Sequence, residues 1–216
     1  LFAALLTGLV YAPGLSGDLH LDSGKLYQVE QVYREQGSAV GLEDLSFARK
    51  FGRVIPQLSF YLNIAASDGV DPFEIKLTNV VIHFINAFMV FLFVATVLQR
   101  TRYCEQSHLL AAAVALLWLI SAVNVSGVLY AVQRMNQLAT LFSLAALVLY
   151  LRVRAASAGR PGSAARWAAL MTGVSLLVVL AYACKENALL IPVFILLIEI
   201  FLFPDLPKWL GTKAGK

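Results

Sequence analysis

Charge is scarce in this chain. Only 14% of its 216 residues are Asp, Glu, Lys or Arg, while 59% are hydrophobic. A soluble domain of this size has no core large enough to hide that much apolar surface, whereas lipid accepts it as solvent. Cysteine is rarer still, with only Cys104 and Cys184 present. The topology below places these two at opposite faces of a membrane, so no disulfide framework is expected. A formal net charge of +4 is too small to imply a nucleic-acid partner. No spacing repeats along the chain. It starts Leu1-Phe2-Ala3, with neither an initiator Met nor a signal peptide. We therefore read it as a piece of a longer protein whose first helix has lost its N-terminal part.

Long apolar runs are what the sequence does have. They predict an all-α integral membrane protein of about six transmembrane helices. A first span covers 1–15 and ends at Pro13-Gly14. The segment 16–76 follows; between Asp18 and Lys76 it holds nine acidic and six basic residues, far too many to cross a bilayer. Further spans are expected at 77–98, 109–120, 125–151, 167–183 and 188–203, before a basic tail at 204–216. Two arginines in the loop at 99–107, four at 152–166 and three lysines in the tail put those segments on the cytoplasmic side. The long first loop and the turns at 121–124 and 184–187 then share the outer side. Within that loop Leu26, Val29 and Val32-Tyr33 recur at helical spacing. So do Leu42, Leu45 and Phe47-Ala48, and, after Pro56, Leu58, Tyr61-Leu62 and Ala65. Amphipathic helices lying on the membrane surface fit this pattern, and so does a small folded cap that contacts another subunit.

Polar residues at the membrane edge are the candidates for chemistry, because burial there is costly. Arg134 is the foremost. A span leaving the bilayer near Leu151 puts it at or just below the outer surface, within Gln133-Arg134-Met135-Asn136-Gln137. One arginine among neutral hydrogen-bonding side chains suits an anion such as a phosphate. Snorkelling to headgroups, or pairing with Glu186, explains it equally well. Lys185-Glu186-Asn187 lies at the same depth, either as a polar cap for two helix ends or with Lys185 as a second cationic contact. His83, between Asn79 and Asn86, reads as an interhelical hydrogen-bond partner. It has no second His or Cys at ligand spacing, so no His-based metal site is expected. Asp18 and Asp22 follow the first helix and suit a general base or a ligand for a hard divalent cation, though solvated loop carboxylates are the commoner case. Glu199, near the cytoplasmic end of the last span, is expected to snorkel. Asn124-Val125-Ser126 matches an N-glycosylation acceptor but lies too close to the membrane for modification to be expected.

Three ordered stretches resemble a known group. Arg53-Val-Ile-Pro-Gln-Leu-Ser-Phe-Tyr-Leu-Asn63 and then Asp71-Pro-Phe-Glu-Ile-Lys-Leu-Thr-Asn-Val-Val-Ile-His83-Phe-Ile-Asn86 are similar to a stretch in GT-C-type membrane glycosyltransferases. The nearest group is the bacterial relatives of protein O-mannosyltransferases, many with tetratricopeptide repeats after the membrane region. The run from Asn124 to Phe142 is similar to the segment after that group's third span, and Lys185-Glu-Asn-Ala-Leu-Leu-Ile-Pro192 to its K-E-x turn. The resemblance implies a bacterial inner-membrane protein that transfers a sugar from a polyprenyl-phosphate carrier to an acceptor, often a protein hydroxyl, at the outer face.

On that resemblance Asp22 is the catalytic carboxylate, with Arg134, Lys185 and Arg53 toward the lipid phosphate. His83, Gln137, Glu186 and Asp18 support the site. The sequence also departs from the pattern. The family's acidic pair appears here as Asp22-Ser23, its Arg-Pro as Arg53-Val54, and its His-Pro as Ser121-Ala122. A rival reading follows from those departures and from the small number of spans: a non-catalytic membrane subunit that keeps the scaffold and holds a partner through its outer loop. A small transporter or channel subunit is less well supported, because paired broken helices and internal carboxylate rows are missing from the sequence.

Overall fold

The computed structural model describes residues 2–19, 24–36, 53–156 and 164–203, and all regular structure among these is helical. Nine helices are described: α1 (Phe2–Leu15), α2 (Gly24–Gln36), α3 (Val54–Ser67), α4 (Pro72–Leu98), α5 (Ser107–Leu119), α6 (Val123–Leu129), α7 (Arg134–Ala156), α8 (Ala164–Cys184) and α9 (Ile191–Leu202). Tight 3-10 turns at Ala131–Gln133 and Glu186–Leu190 lead into α7 and α9.

Among the described residues, three segments are long and apolar enough to cross a membrane: Pro72–Leu98, Ala131–Ala155 and Ala164–Cys184. Ser107–Leu119 and Ala122–Leu129 pass the same test together but are bent by 48°, which gives a fourth if the pair is one span. These helices make the chain a membrane protein. By contrast α1, at 14 residues, and α9, at 12, are described over lengths shorter than the ~20 residues a bilayer core requires.

Local sequence explains several of the helix boundaries. Asp71 caps α4 by accepting from the Phe73 backbone N–H at 2.8 Å, with Pro72 and Glu74 in the first turn. The helix therefore begins five residues before the expected 77 and takes in Lys76. At the end of α3, Asp68 adopts the left-handed conformation (φ 53°), and the Gly69 N–H returns to the Ile64 carbonyl at 3.0 Å. The last helix begins at Ile191 rather than at 188, with Pro192 in its first turn and the preceding residues in a 3-10 turn.

The expected continuous span at 125–151 is the clearest correction. The chain bends at Tyr130, whose extended backbone (φ −82°, ψ 108°) separates α6 from α7. Nothing in the apolar run marks that break. Side chains of α4 and of α7 itself hold it open, as described below.

In the core, α7 packs along α8 and α4, and α4 along α5. Leu147, Leu151, Leu170, Val174 and Ala181 interlock between α7 and α8, and Ile191, Ile198 and Phe203 close that cluster. Many residues on the other faces are apolar and exposed, among them Val179, Leu196 and Phe201. Such faces suit lipid and not water. The periodic stretches around Leu26 and after Pro56 form α2 and α3, and their buried apolar residues face each other and the bundle. Leu26 and Val29 pack against Phe60, Tyr61 and Ile64, on Ile75 and Ala131, so the two helices make a cap on the bundle. The periodic stretch at Leu42, Leu45 and Phe47-Ala48 and the tail at 204–216 lie outside the described residues.

At the end of the bundle remote from that cap, Glu199 does not snorkel. Its carboxylate accepts from the Tyr150 hydroxyl at 2.6 Å and from Arg154 Nε and Nη2 at 2.9 and 3.2 Å, tying α9 to α7. Phe203 lies between the guanidinium groups of Arg100 (4.3 Å) and Arg154 (4.4 Å).

Candidate functional site

The bend at Tyr130 organises the cap end of the bundle. Breaking a helix inside an apolar environment frees backbone carbonyls that have no water to turn to. Here amide side chains take them. Asn79 Nδ2 donates to the carbonyls of Val128 (3.1 Å) and Ala131 (3.3 Å), and Gln137 Nε2 to that of Gly127 (2.8 Å). Asn86 Nδ2 donates to the Gln137 carbonyl at 3.0 Å, locking α4 to α7. Asn79 and Asn86, seven residues apart, thus serve one face of α4 over two turns.

Arg134 opens α7 directly after the bend and is completely buried. Its Nε donates to Asn79 Oδ1 at 2.7 Å, Nη2 to the Ile75 carbonyl at 2.8 Å, and Nη1 to the Ser59 carbonyl at 3.1 Å. The ring of Phe60 lies 4.2 Å from the guanidinium carbon. The sequence offered headgroups, Glu186 or a phosphate as its partners. It instead joins α3, α4 and α7 through neutral acceptors, and no carboxylate hydrogen-bonds to it among the described residues. In this arrangement it has no free face for a lipid phosphate.

Glu186 is paired with a different arginine. Arg53 Nη2 lies 3.5 Å from Glu186 Oε2, and its other terminal nitrogen contacts the sulfur of Met135. The first N–H of the 3-10 turn, on Glu186 itself, holds that carboxyl below its usual range, and the charges of Arg53 and Lys185 add to this. Lys185 is half-buried, and its ammonium makes no hydrogen bond or salt bridge among the described residues. Arg53, Lys185 and Glu186 therefore share one edge, as the sequence expected, while Arg134 is sequestered behind it.

His83 joins three helices. Its Nε2 lies 3.1 Å from the Tyr11 hydroxyl and 3.0 Å from the Leu119 carbonyl, and its ring packs at 4.5 Å on Trp118. That is the interhelical hydrogen-bond role its setting predicted. Gln137 takes part in the bend, as above. Asp18 is exposed, and its carbonyl, not its carboxylate, is engaged. Asp22 lies outside the described residues.

Lys76 and Tyr11 are the residues that sequence reasoning missed. Lys76 is almost fully buried, and its ammonium donates to the carbonyls of Gly14 (3.1 Å), Gly17 and Asp18 (3.3 Å). It ties the end of α1 to the start of α4, beside a cavity of about 280 Å³ whose wall includes Asp18 and Tyr130. A signal was available: a lysine in the second turn of a helix opposes the dipole unless other acceptors hold it. Tyr11 carried no such mark in its apolar run.

Two further spaces flank α7. An apolar groove of about 660 Å³ runs between α4, α7 and α9, walled by Phe93, Leu144, Leu147, Phe194 and Leu197, with Asn136, Thr140 and Asn187 as polar residues in its wall. A smaller cavity of about 120 Å³ sits at the bend among His83, Asn86, Trp118, Asn124 and Gln137. Asn136 and Thr140 line both. Among the described residues no group of three or more His, Cys, Asp or Glu side chains is placed to share a metal ion. Comparison with known protein families, curated proteins and solved structures finds no match for the chain.

Proposed function

We propose that this chain is a bacterial inner-membrane protein of the GT-C glycosyltransferase type, with six spans and its α2–α3 cap on the periplasmic side. In this reading α1 and α9 complete the set of spans. A polyprenyl-phosphate sugar is the donor and a protein hydroxyl the acceptor. The observation that carries the reading is the groove between α4, α7 and α9, about 660 Å³, apolar along its length and carrying Asn187 directly after Lys185-Glu186. Such a trough suits the chain of a long lipid, and a cation at its edge suits a phosphate. With Arg134 bound to protein acceptors, Lys185 becomes the leading phosphate contact, and Arg53 joins it by exchanging Glu186 for the ligand. Asp22 is the acceptor's base on the resemblance alone.

The test uses purified protein with a radiolabelled polyprenyl-phosphate hexose and a hydroxyl-bearing peptide. Asp22→Asn abolishes sugar transfer and leaves donor binding intact, whereas Lys185→Gln weakens donor binding about tenfold, the value of one charge-assisted hydrogen bond. Normal transfer by Asp22→Asn removes it from the mechanism. A second reading is favoured by the engagement of Arg134 and by Ser23 in place of the second acid: a non-catalytic subunit that keeps the lipid groove and docks a membrane-complex partner through the cap. Lipid binding without transfer by the unmodified protein, in the presence of acceptor, selects it.

A further inference from the structure

The cavity at the α6–α7 bend poses a chemical problem that the protein does not solve by itself. Asn86 and Gln137 are nearly fully buried and line it. Each spends its amide nitrogen on a backbone carbonyl, Asn86 at 3.0 Å and Gln137 at 2.8 Å, which fixes which way both amides face. The remaining atoms, Asn86 Oδ1 and Gln137 Oε1, are buried acceptors with no donor among the described residues. Two such acceptors, on side chains that line one cavity, are costly unless something brings donors to them. No Asp, Glu, Lys or Arg lines the space, so neither a phosphate nor an ammonium group finds a countercharge there. Hydroxyl groups fit instead. At about 120 Å³ the cavity has room for about four water molecules, or for the hydroxylated edge of one small headgroup.

The route in is also visible. Asn136 and Thr140, on one face of α7, line the cavity and the apolar groove alike. An amphiphile whose chain lies in the groove therefore brings its head to the mouth of the cavity. We propose that the cavity is a headgroup subsite that takes the hydroxyl-rich, uncharged end of a lipid head, a sugar or a terminal glycerol, by donation to Asn86 Oδ1 and Gln137 Oε1, any phosphate of that head staying outside it. This rests on the lipid-in-groove part of the reading above and adds the part of the molecule that tells one lipid from another. It does not depend on catalysis, and it assigns the two amides a specificity role beside their structural one.

The experiment compares three amphiphiles of matched chain length on the full chain held in amphipol: dodecyl glucoside, lauroyl-lysophosphatidylglycerol and dodecylphosphocholine. The phosphocholine head has no hydroxyl donor and reports the groove alone. Dodecyl glucoside is expected to bind about tenfold more tightly than dodecylphosphocholine, the value of one to two net hydrogen bonds. Asn86→Leu and Gln137→Met reduce that preference to about twofold and leave dodecylphosphocholine binding unchanged. Because both amides also hold backbone carbonyls, Thr140→Val is measured beside them. It keeps the side-chain shape, removes one shared hydroxyl, and is expected to lower glucoside affinity about threefold. If lysophosphatidylglycerol matches the glucoside, the glycerol head is the natural occupant; if it binds more weakly, the sugar is. Equal binding of glucoside and phosphocholine, or a preference kept in all three variants, overturns the subsite while the groove stands. No binding of any of the three overturns the groove as well.

Discussion

Replacing Arg134 with methionine separates a structural arginine from a ligand-binding one. The change keeps an unbranched side chain of similar reach and removes the guanidinium. Asn79 Oδ1 and the carbonyls of Ile75 and Ser59 then lose donors that stand at 2.7, 2.8 and 3.1 Å. Each hydrogen bond from the charged donor is worth about 1.5–3 kcal/mol, and the contact with Phe60 adds about 1 kcal/mol. Against this, the methionine spares the cost of burying a charge that has no counter-ion, which is worth several kcal/mol. The net expectation is a destabilisation of about 3 kcal/mol, within the range found when one partner of a buried polar network is removed. Lysine in the same place keeps the charge, but one ammonium cannot reach acceptors on three helices in the arginine's geometry; about 2 kcal/mol is expected. Cys184 provides the assay. It is fully buried and Cys104 is exposed, so in a Cys104→Ser background a thiol-reactive dye reports only unfolding around Cys184. Arg134→Met should react at a lower temperature or denaturant concentration than the parent. If it unfolds like the parent yet no longer binds a polyprenyl phosphate, the arginine is a ligand contact and the structural reasoning is refuted.

Other consequences are equally accessible. Glu199→Ala leaves Arg154 without its carboxylate between α7 and α9 and is expected to cost about 3 kcal/mol in the same assay, with Arg154→Leu together with Glu199→Leu costing less than either single change. Lys76→Met frees the carbonyls at the end of α1, so limited proteolysis between residues 15 and 24 should speed up at least several-fold; an unchanged rate argues against the clamp. The Glu186 carboxyl is held below its usual range, so the pair with Arg53 contributes fully above the ordinary glutamate value of about 4.3 and is lost as pH falls through the lower folded value. Hydrogen exchange around residues 53 and 186 should accelerate below that pH in the parent and show no such step in Glu186→Gln.

The spacing of residues made some of this legible beforehand. His83 carries the interhelical bond its position between two asparagines suggested, and α2 and α3 follow the apolar periodicity of Leu26 and Val29 and of Tyr61. Arg53, Lys185 and Glu186 meet at one edge of the bundle, and the spacing of basic loops leads to the expectation that their segments share a side. Other features carried no local mark. The run from Val125 to Val132 reads as continuous helix, since helical periodicity knows nothing of Asn79 and Gln137, which arrive from positions far away or later in the chain to accept the cost of the break.

What the sequence by itself determined is therefore the solvent. Its shortage of charge and its long apolar runs require helices in lipid, because only helices satisfy their own backbone there. Tertiary structure decided which polar side chains remain available. Arg134 and Lys185 look alike on paper, each a cation at the same depth. One is enclosed by the carbonyls of Ser59 and Ile75, and the other remains at the edge. Burial of a donor depends on which acceptors distant segments bring to it, and that is a property of packing, invisible in the spacing of residues along the chain.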